Sequence, residues 1–214
     1  MMGPKARLLL AAVALLAIGC VTPYDYTLYR AHMPRSILVL PPMNESLDAN
    51  APYSYITTVT RPLAERGYYV FPVAVVDDFM KDNGLPTPFE MHSVPISKIG
   101  EIIGPDAVLY ITIEKFAQEY IVLSSNTVVK VRARLVDVAS ETVIWEGQAN
   151  AVQSSGGSGN LIADVIVAAV EQVVDSTTNQ THEVSKMANQ LLIYQDKRGM
   201  LVGPRHPEFG KVDE

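Results

Sequence analysis

From Ala107 the hydrophobic pattern takes on a period of two and keeps it to about Asn150, and no other stretch constrains the fold of this chain as tightly. Leu109, Ile111 and Ile113 share one face, with Tyr110, Thr112 and Glu114 on the other. The spacing predicts a strand with a bulge near Ala117 that runs to about Leu123 and a turn at Ser124-Ser125-Asn126. A second strand, Thr127 to Val138, sets Val129, Val131, Ala133 and Leu135 inward and Lys130, Arg132 and Arg134 outward. After a turn at Ala139-Ser140-Glu141, Val143, Trp145 and Ala149 alternate with Thr142, Ile144, Glu146, Gln148 and Asn150 in a third. Three adjacent antiparallel strands with one apolar and one polar face need another layer on the apolar side.

Upstream, Ser36 to Leu40 reads as a buried strand ended by Pro41-Pro42, and Met43 to Pro52 as a loop. Tyr55, Ile56, Val59, Leu63 and Arg66 keep helical spacing over Pro52 to Arg66, with a kink at Pro62 or a start in two pieces, and Gly67 as the stop. A strand over Tyr68 to Val73 then completes a strand-helix-strand unit, which pairs in parallel. Val75 to Asn83 reads as a short helix, Pro86 and Pro88 as a loop, and Ile96 to Ile103 as a helical piece ending at Gly104-Pro105. Downstream, Ser154 to Gly159 is a flexible loop, and Asn160 caps a helix that is apolar nearly all round over Leu161 to Val174 and continues to about Tyr194. The tail, 196–214, is too rich in Gly and Pro for regular structure and either dangles or is bound in extended form. These elements make an α/β (α+β) fold: a mixed sheet with a β-α-β start, a three-stranded meander and a long C-terminal helix, in one domain over 36–195.

The N-terminus carries an address. Lys5 and Arg7 precede an aliphatic run from Leu8 to Ile18, then Gly19 and the single cysteine, Cys20. That is a signal segment, 1–19; a spanning helix needs roughly 20 apolar residues. Ala17-Ile18-Gly19-Cys20 resembles the bacterial lipobox, with Leu16 one place early, which implies cleavage between Gly19 and Cys20, acylation of Cys20 and attachment to a lipid bilayer. One cysteine forms no intramolecular disulfide, and lipidation accounts for it better than a free thiol in an oxidising compartment. Residues 20–35 read as a tether whose Tyr24, Tyr26 and Tyr29 sit at the membrane interface or pack on the domain. Val21, where an Asp would retain the protein at the inner membrane, resembles the pattern of export to the outer membrane.

Reactive chemistry is not apparent. His32, His92, His182 and His206 have no carboxylate or cysteine at metal-ligand spacing, and the glycines at 156–159 lack the Lys-Ser/Thr of a phosphate loop. Asp77-Asp78, Glu101 and Asp106 read as solvated acids, and no G-x-S-x-G elbow is present. No enzyme activity, metal or cofactor is expected. The formal charge of −6, which becomes −8 when Lys5 and Arg7 are removed, argues against nucleic acid. Lys130, Arg132 and Arg134 form a basic stripe that either meets a partner or pairs across strands with Glu114, Glu146 or Glu141. Pro204, Pro207 and Phe209 are the candidate contacts in the tail.

Gly104-Pro-Asp-Ala-Val-Leu-Tyr-Ile, VRARLVDVASETVIWEG and the Ser/Gly loop resemble a pattern shared by the TolB amino-terminal domain and the periplasmic domain of CsgG, the curli secretion lipoprotein. With SILVLPPMNES and GMLVGPRHPEFGK, the whole mature chain resembles a family of bacterial lipoproteins best represented by a neisserial surface-antigen candidate, whose members often sit beside a CsgG-like lipoprotein. Ser140-Glu141-Thr142 departs from the pattern in lacking its turn glycine. The resemblance implies a mixed-sheet α/β domain facing the periplasm, with no catalytic residues to carry over. The expected function is a non-catalytic interaction module in an envelope transport or secretion assembly, anchored to the outer membrane, with a CsgG-like partner; further copies of the chain and surface display stay open. The alternative is a small-ligand or lipid carrier with its pocket between the terminal helix and the sheet.

Overall fold

The computed structural model describes residues 24–121, 124–154 and 177–211. In chain order its elements are α1 (Thr27–Ala31), β1 (Ser36–Val39), β2 (Met43–Asn44), α2 (Ala51–Ile56), α3 (Thr60–Glu65), β3 (Tyr69–Val70) and α4 (Val73–Asp82). They continue with α5 (Pro88–His92), α6 (Ile96–Ile102), β4 (Ala107–Ile121), β5 (Ser124–Asp137), β6 (Val143–Ser154) and α7 (Thr177–Tyr194). The sheet has the order β3-β1-β4-β5-β6, with β2 also on β4. β1 is parallel to β3 and β4, while β4, β5 and β6 form the expected antiparallel meander.

β1 lies between two strands and is covered on both faces, which is why Ile37, Leu38, Val39 and Leu40 are all fully buried. Pro41 and Pro42 have no N–H for the ladder, so pairing stops there and resumes at β2. Val39 faces Leu109 and Met43 faces Thr112, so the chain carries one extra residue across the gap.

The meander departs from simple alternation at two bulges. In β4 the register shifts at Glu114 rather than near Ala117, and the buried set passes from Ile113 to Phe116. In β6 the shift falls at Ile144, so Ile144 and Trp145 are both buried on the core side while Val143, expected inward, is 37% exposed. Ser124 to Asn126, expected as a turn, belong to the β4–β5 ladder, which runs on to Ile121 opposite Ser124. Glu141 adopts φ +56°, the left-handed conformation that the missing glycine would take readily.

The helical segments differ in detail from the spacing-based expectation. Pro62 sits two residues inside α3, and the break precedes it at Thr57–Val59, so the segment is two helices. The second strand shortens to Tyr69–Val70. Residues 88–92, expected as loop, form α5: Pro88 occupies the first helical position, where its missing N–H costs nothing, and Thr87 and Glu90 make a capping box. The apolar stretch Leu161 to Val174 and the loop at 155–159 lie outside the described residues.

Two helical layers cover the sheet. Tyr55, Leu63, Ala188, Leu192 and Ile193 of α2, α3 and α7 pack against Leu109, Ile111, Val131 and Trp145 on one face. On the other, Val76, Met80, Met91 and Ile99 of α4, α5 and α6 cover Leu38, Val108 and Val136. Farther along β5 and β6, Lys130, Arg132, Arg134, Glu146 and Gln148 remain exposed. Gly147 gives Trp145 its place, since a Cβ there would stand 2.4 Å from the indole Cζ2.

The two ends of the domain meet. Residues 24–35 are no tether, because Tyr29 is fully buried and its hydroxyl donates to that of Tyr68 at 2.8 Å, and Tyr68 in turn donates to the Leu201 carbonyl at 2.6 Å. Tyr26 donates to the Gly199 carbonyl at 2.6 Å. The segment after α7 lies on the domain: Gly203 and Arg205 donate backbone N–H bonds to the Arg66 and Gly67 carbonyls at 2.7 and 3.2 Å.

Candidate functional site

The uncovered part of the sheet forms a cleft of about 680 Å³. Strand register sets its floor: Tyr110, Arg134 and Glu146 lie side by side across β4, β5 and β6, and Thr112, Arg132 and Gln148 form the next row. α5 brings His92 to one wall, and Tyr24 and Arg198 reach it from the two ends of the domain. His92 Nε2 donates to the Pro41 carbonyl at 2.9 Å, and because a carbonyl only accepts, this selects the Nε2–H tautomer. The imidazole stands edge-on to Tyr110 at 5.3 Å, and the Arg134 guanidinium lies over the Tyr110 ring at 4.8 Å. Burial pushes the His92 pKa down, with the Arg134 charge adding to it and the Pro41 bond opposing. Burial raises the Tyr110 pKa.

The basic stripe divides. Lys130 and Arg132 both pair with Glu114 at 2.8 Å, and Arg132 also reaches Glu45 at 2.5 Å. Hydrogen bonds from Lys130 and Arg132 lower the Glu114 pKa. Arg134 has no carboxylate within ion-pair distance among the described residues, although Glu146 is its neighbour in register. The tail residues lie elsewhere, so the structure does not unite the two sets of candidate contacts. Pro204 is half-buried, Pro207 exposed, and Phe209, 44% exposed, borders a groove of about 540 Å³ with Tyr26, Met33, Arg66 and Tyr194. Gln195 lines both clefts. Cys20 and Gly19 lie outside the described residues.

Sequence reasoning missed His92, Tyr110, Tyr24 and Arg198 as members of one site. The capping box Thr87-Pro88-Phe89-Glu90 was the available signal for α5; nothing in the spacing signals Arg198. Among the described residues no three His, Cys, Asp or Glu side chains are grouped to hold a metal ion, nor is any helix long and apolar enough to cross a membrane.

The acids in the resemblance block have structural tasks. Asp106 Oδ2 accepts the backbone N–H groups of Arg35 and Ser36 and the Ser36 hydroxyl, each at 2.9 Å, tying the start of β1 to that of β4. Gly104, at φ +76°, ends α6 and turns the chain into that latch. Asp137 accepts from the Ser140 N–H and hydroxyl at 2.8 and 2.6 Å and lies 3.3 Å from His32 Nδ1.

Fold and site together define a mixed α+β domain, a six-stranded sheet with helices on both faces and one polar, cationic stretch left open. The chain belongs to the family described as "Putative lipoprotein GNA1162-like", whose profile spans residues 24–205. A relative from Neisseria meningitidis serogroup B (strain ATCC BAA-335 / MC58), named "Putative lipoprotein NMB1124/NMB1162", is 39% identical over 208 residues, covering 94% of this chain and 97% of its own. The crystal structure of lipoprotein GNA1162 from Neisseria meningitidis is similar at a TM-score of 0.55 and 43% identity, covering 59% of this chain and 88% of that one.

Proposed function

We propose that the protein is acylated at Cys20, faces the periplasm from the outer membrane, and serves there as a non-catalytic module of an envelope transport or secretion assembly with a CsgG-like lipoprotein as partner. The observation that carries this reading is the near full-length membership in a lipoprotein family, together with a signal segment that ends at the single cysteine. Val21 supports the outer membrane as destination. The described residues add a basic cleft and an aromatic groove. The groove bordered by Phe209 suits a partner held in the same leaflet, because it lies beside Tyr26, six residues from the anchor, and such a partner approaches from the side.

Cys20→Ser is expected to abolish palmitate labelling; labelling that persists overturns the anchoring. Cross-linking from position 209 in solubilised envelopes, read by mass spectrometry, is expected to recover a second lipoprotein, and recovery of this chain alone overturns the partner. The carrier reading needs space between the terminal helix and the sheet. Val184, Ala188, Leu192 and Ile193 fill the described part of that space and are at most 1% exposed, which counts against it.

A further inference from the structure

Tyr24 is the first described residue after the cysteine, and its position on the domain is fixed. Its hydroxyl accepts the Glu146 N–H at 2.9 Å on the outer edge of β6, and its ring packs at a 54° tilt, 4.8 Å between centroids, against that of Tyr26, which is itself bonded to Gly199. Three residues separate Cys20 from Tyr24, and a fully extended chain spans at most ~3.6 Å per residue, so the Cys20 Cα lies within about 14 Å of the Tyr24 Cα and the acylated sulfur within about 17 Å. Tyr24 is also a wall of the basic cleft. An acyl anchor on so short a lead therefore keeps that cleft close to the headgroups and within reach of them.

The chemistry of the cleft suits that position. The exposed Arg134 and Arg198 have no ion-pair partner among the described residues, and Glu146 is the single carboxylate among the lining side chains. The Arg134 guanidinium is held over the Tyr110 ring, 4.8 Å from its centroid, which restricts its position while its donors remain available to an oxyanion. The body as a whole is acidic, so an anionic surface repels most of it and attracts this patch. We propose that this cleft is the membrane-facing surface of the protein, and that Arg134 and Arg198 take the phosphate of anionic phospholipid headgroups in the leaflet that holds the acyl chains. The proposal rests on the anchoring at Cys20 set out above.

The test couples the full mature chain through the Cys20 thiol to a maleimide lipid in phosphatidylcholine vesicles, with and without phosphatidylglycerol carrying a photoreactive headgroup. Because the coupling is chemical, the outcome does not depend on acylation in the cell, and loss of the anchoring reading is seen separately in the palmitate experiment. Cross-links are expected on the peptides of Tyr24, Arg134 and Arg198. A cation near an anionic surface contributes about 1 kcal/mol, so Arg134→Gln and Arg198→Gln are each expected to lower the yield about fivefold, and the pair about thirtyfold. Lys98→Gln, at an ion pair on α6, serves as the control and is expected to change nothing. A wild-type map centred on α4 to α6 overturns the proposal even if a variant fails to fold, as do yields that ignore both arginines. Excess inorganic phosphate is expected not to compete; if it abolishes the cross-links, the site is for the free ion and the proposal is wrong.

Discussion

Asn189→Leu is expected to destabilise the domain by about 3 kcal/mol. Asn189 is fully buried on α7; its Oδ1 accepts the Tyr55 hydroxyl at 2.7 Å, and its Nδ2 donates to Thr58 Oγ1 at 2.7 Å. Thr58 in turn donates to the Tyr55 carbonyl at 2.7 Å, so the amide bridges α7 to α2 and to the residues just after it. Leucine has the same branching and number of heavy atoms but is bulkier, so no cavity forms and the cost is the lost polar contacts with some overpacking added. Two hydrogen bonds at about 1 kcal/mol each are lost, and the Tyr55 hydroxyl, itself fully buried, keeps a donor without an acceptor at roughly 1–3 kcal/mol. Part of this is offset by the added apolar burial. For a domain of this size 1 kcal/mol moves the melting temperature by about 2–4 °C, so a fall of roughly 6–12 °C is expected. Urea unfolding followed by the fluorescence of Trp145, the single tryptophan and fully buried, gives the free energies. Tyr55→Phe alone orphans Asn189 Oδ1 instead. The double variant orphans neither group and is expected to cost at least about 1 kcal/mol less than the sum of the two singles. Strict additivity, or an Asn189→Leu protein within about 0.5 kcal/mol of wild type, refutes the bridge as a source of stability.

Three further outcomes follow from local geometry. Gly147→Ala places its Cβ 2.4 Å from Trp145 and 3.1 Å from Leu192 Cδ1, and is expected to cost about 2 kcal/mol by calorimetry despite alanine's lower backbone entropy. Asp106→Ala frees two backbone donors at the start of β1 and is expected to cost roughly 1–2 kcal/mol in urea unfolding, whereas Asp106→Asn keeps an acceptor and costs less. The folded-state pKa of His92 is lowered by burial, so below the ordinary histidine value of about 6.5 the unfolded chain binds a proton that the folded one does not. Stability is therefore complete above that pH and declines as the pH falls toward the folded-state pKa; in His92→Gln that part of the decline is expected to vanish.

The β4–β6 meander was legible in the sequence because alternation is a local property of each strand. Its bulges were not, since a bulge reveals itself only against the partner; adjacent Ile144 and Trp145, both apolar, were the one visible trace. Prolines misled at α5, where Pro88 opens a helix. The aromatic segment at 24–29 reads equally well as a lead or as packing, and residues more than a hundred positions away decide between them: Tyr26 finds Gly199 and Tyr24 finds Glu146. The same applies to the cleft. Lys130, Arg132 and Glu114 follow from neighbouring strands, but Glu45 arrives through β2, His92 through α5 and Arg198 from beyond α7.

The bond from Tyr26 to Gly199 closes a loop of 173 residues. Such a contact forms only when both ends of the chain are in the same compartment, so a chain that crosses a membrane N-terminus first cannot complete this structure during transit. The parallel pairing of β1 with β4, latched by Asp106 across 71 and 70 positions from Arg35 and Ser36, sets a similar requirement earlier in the chain. Local helices and the β4–β5 hairpin can form as they emerge, while the closing seam waits for the last residues. The docking of residues 199–205 onto Arg66 and Gly67 is therefore the last step of folding, after the rest of the domain has formed to receive it.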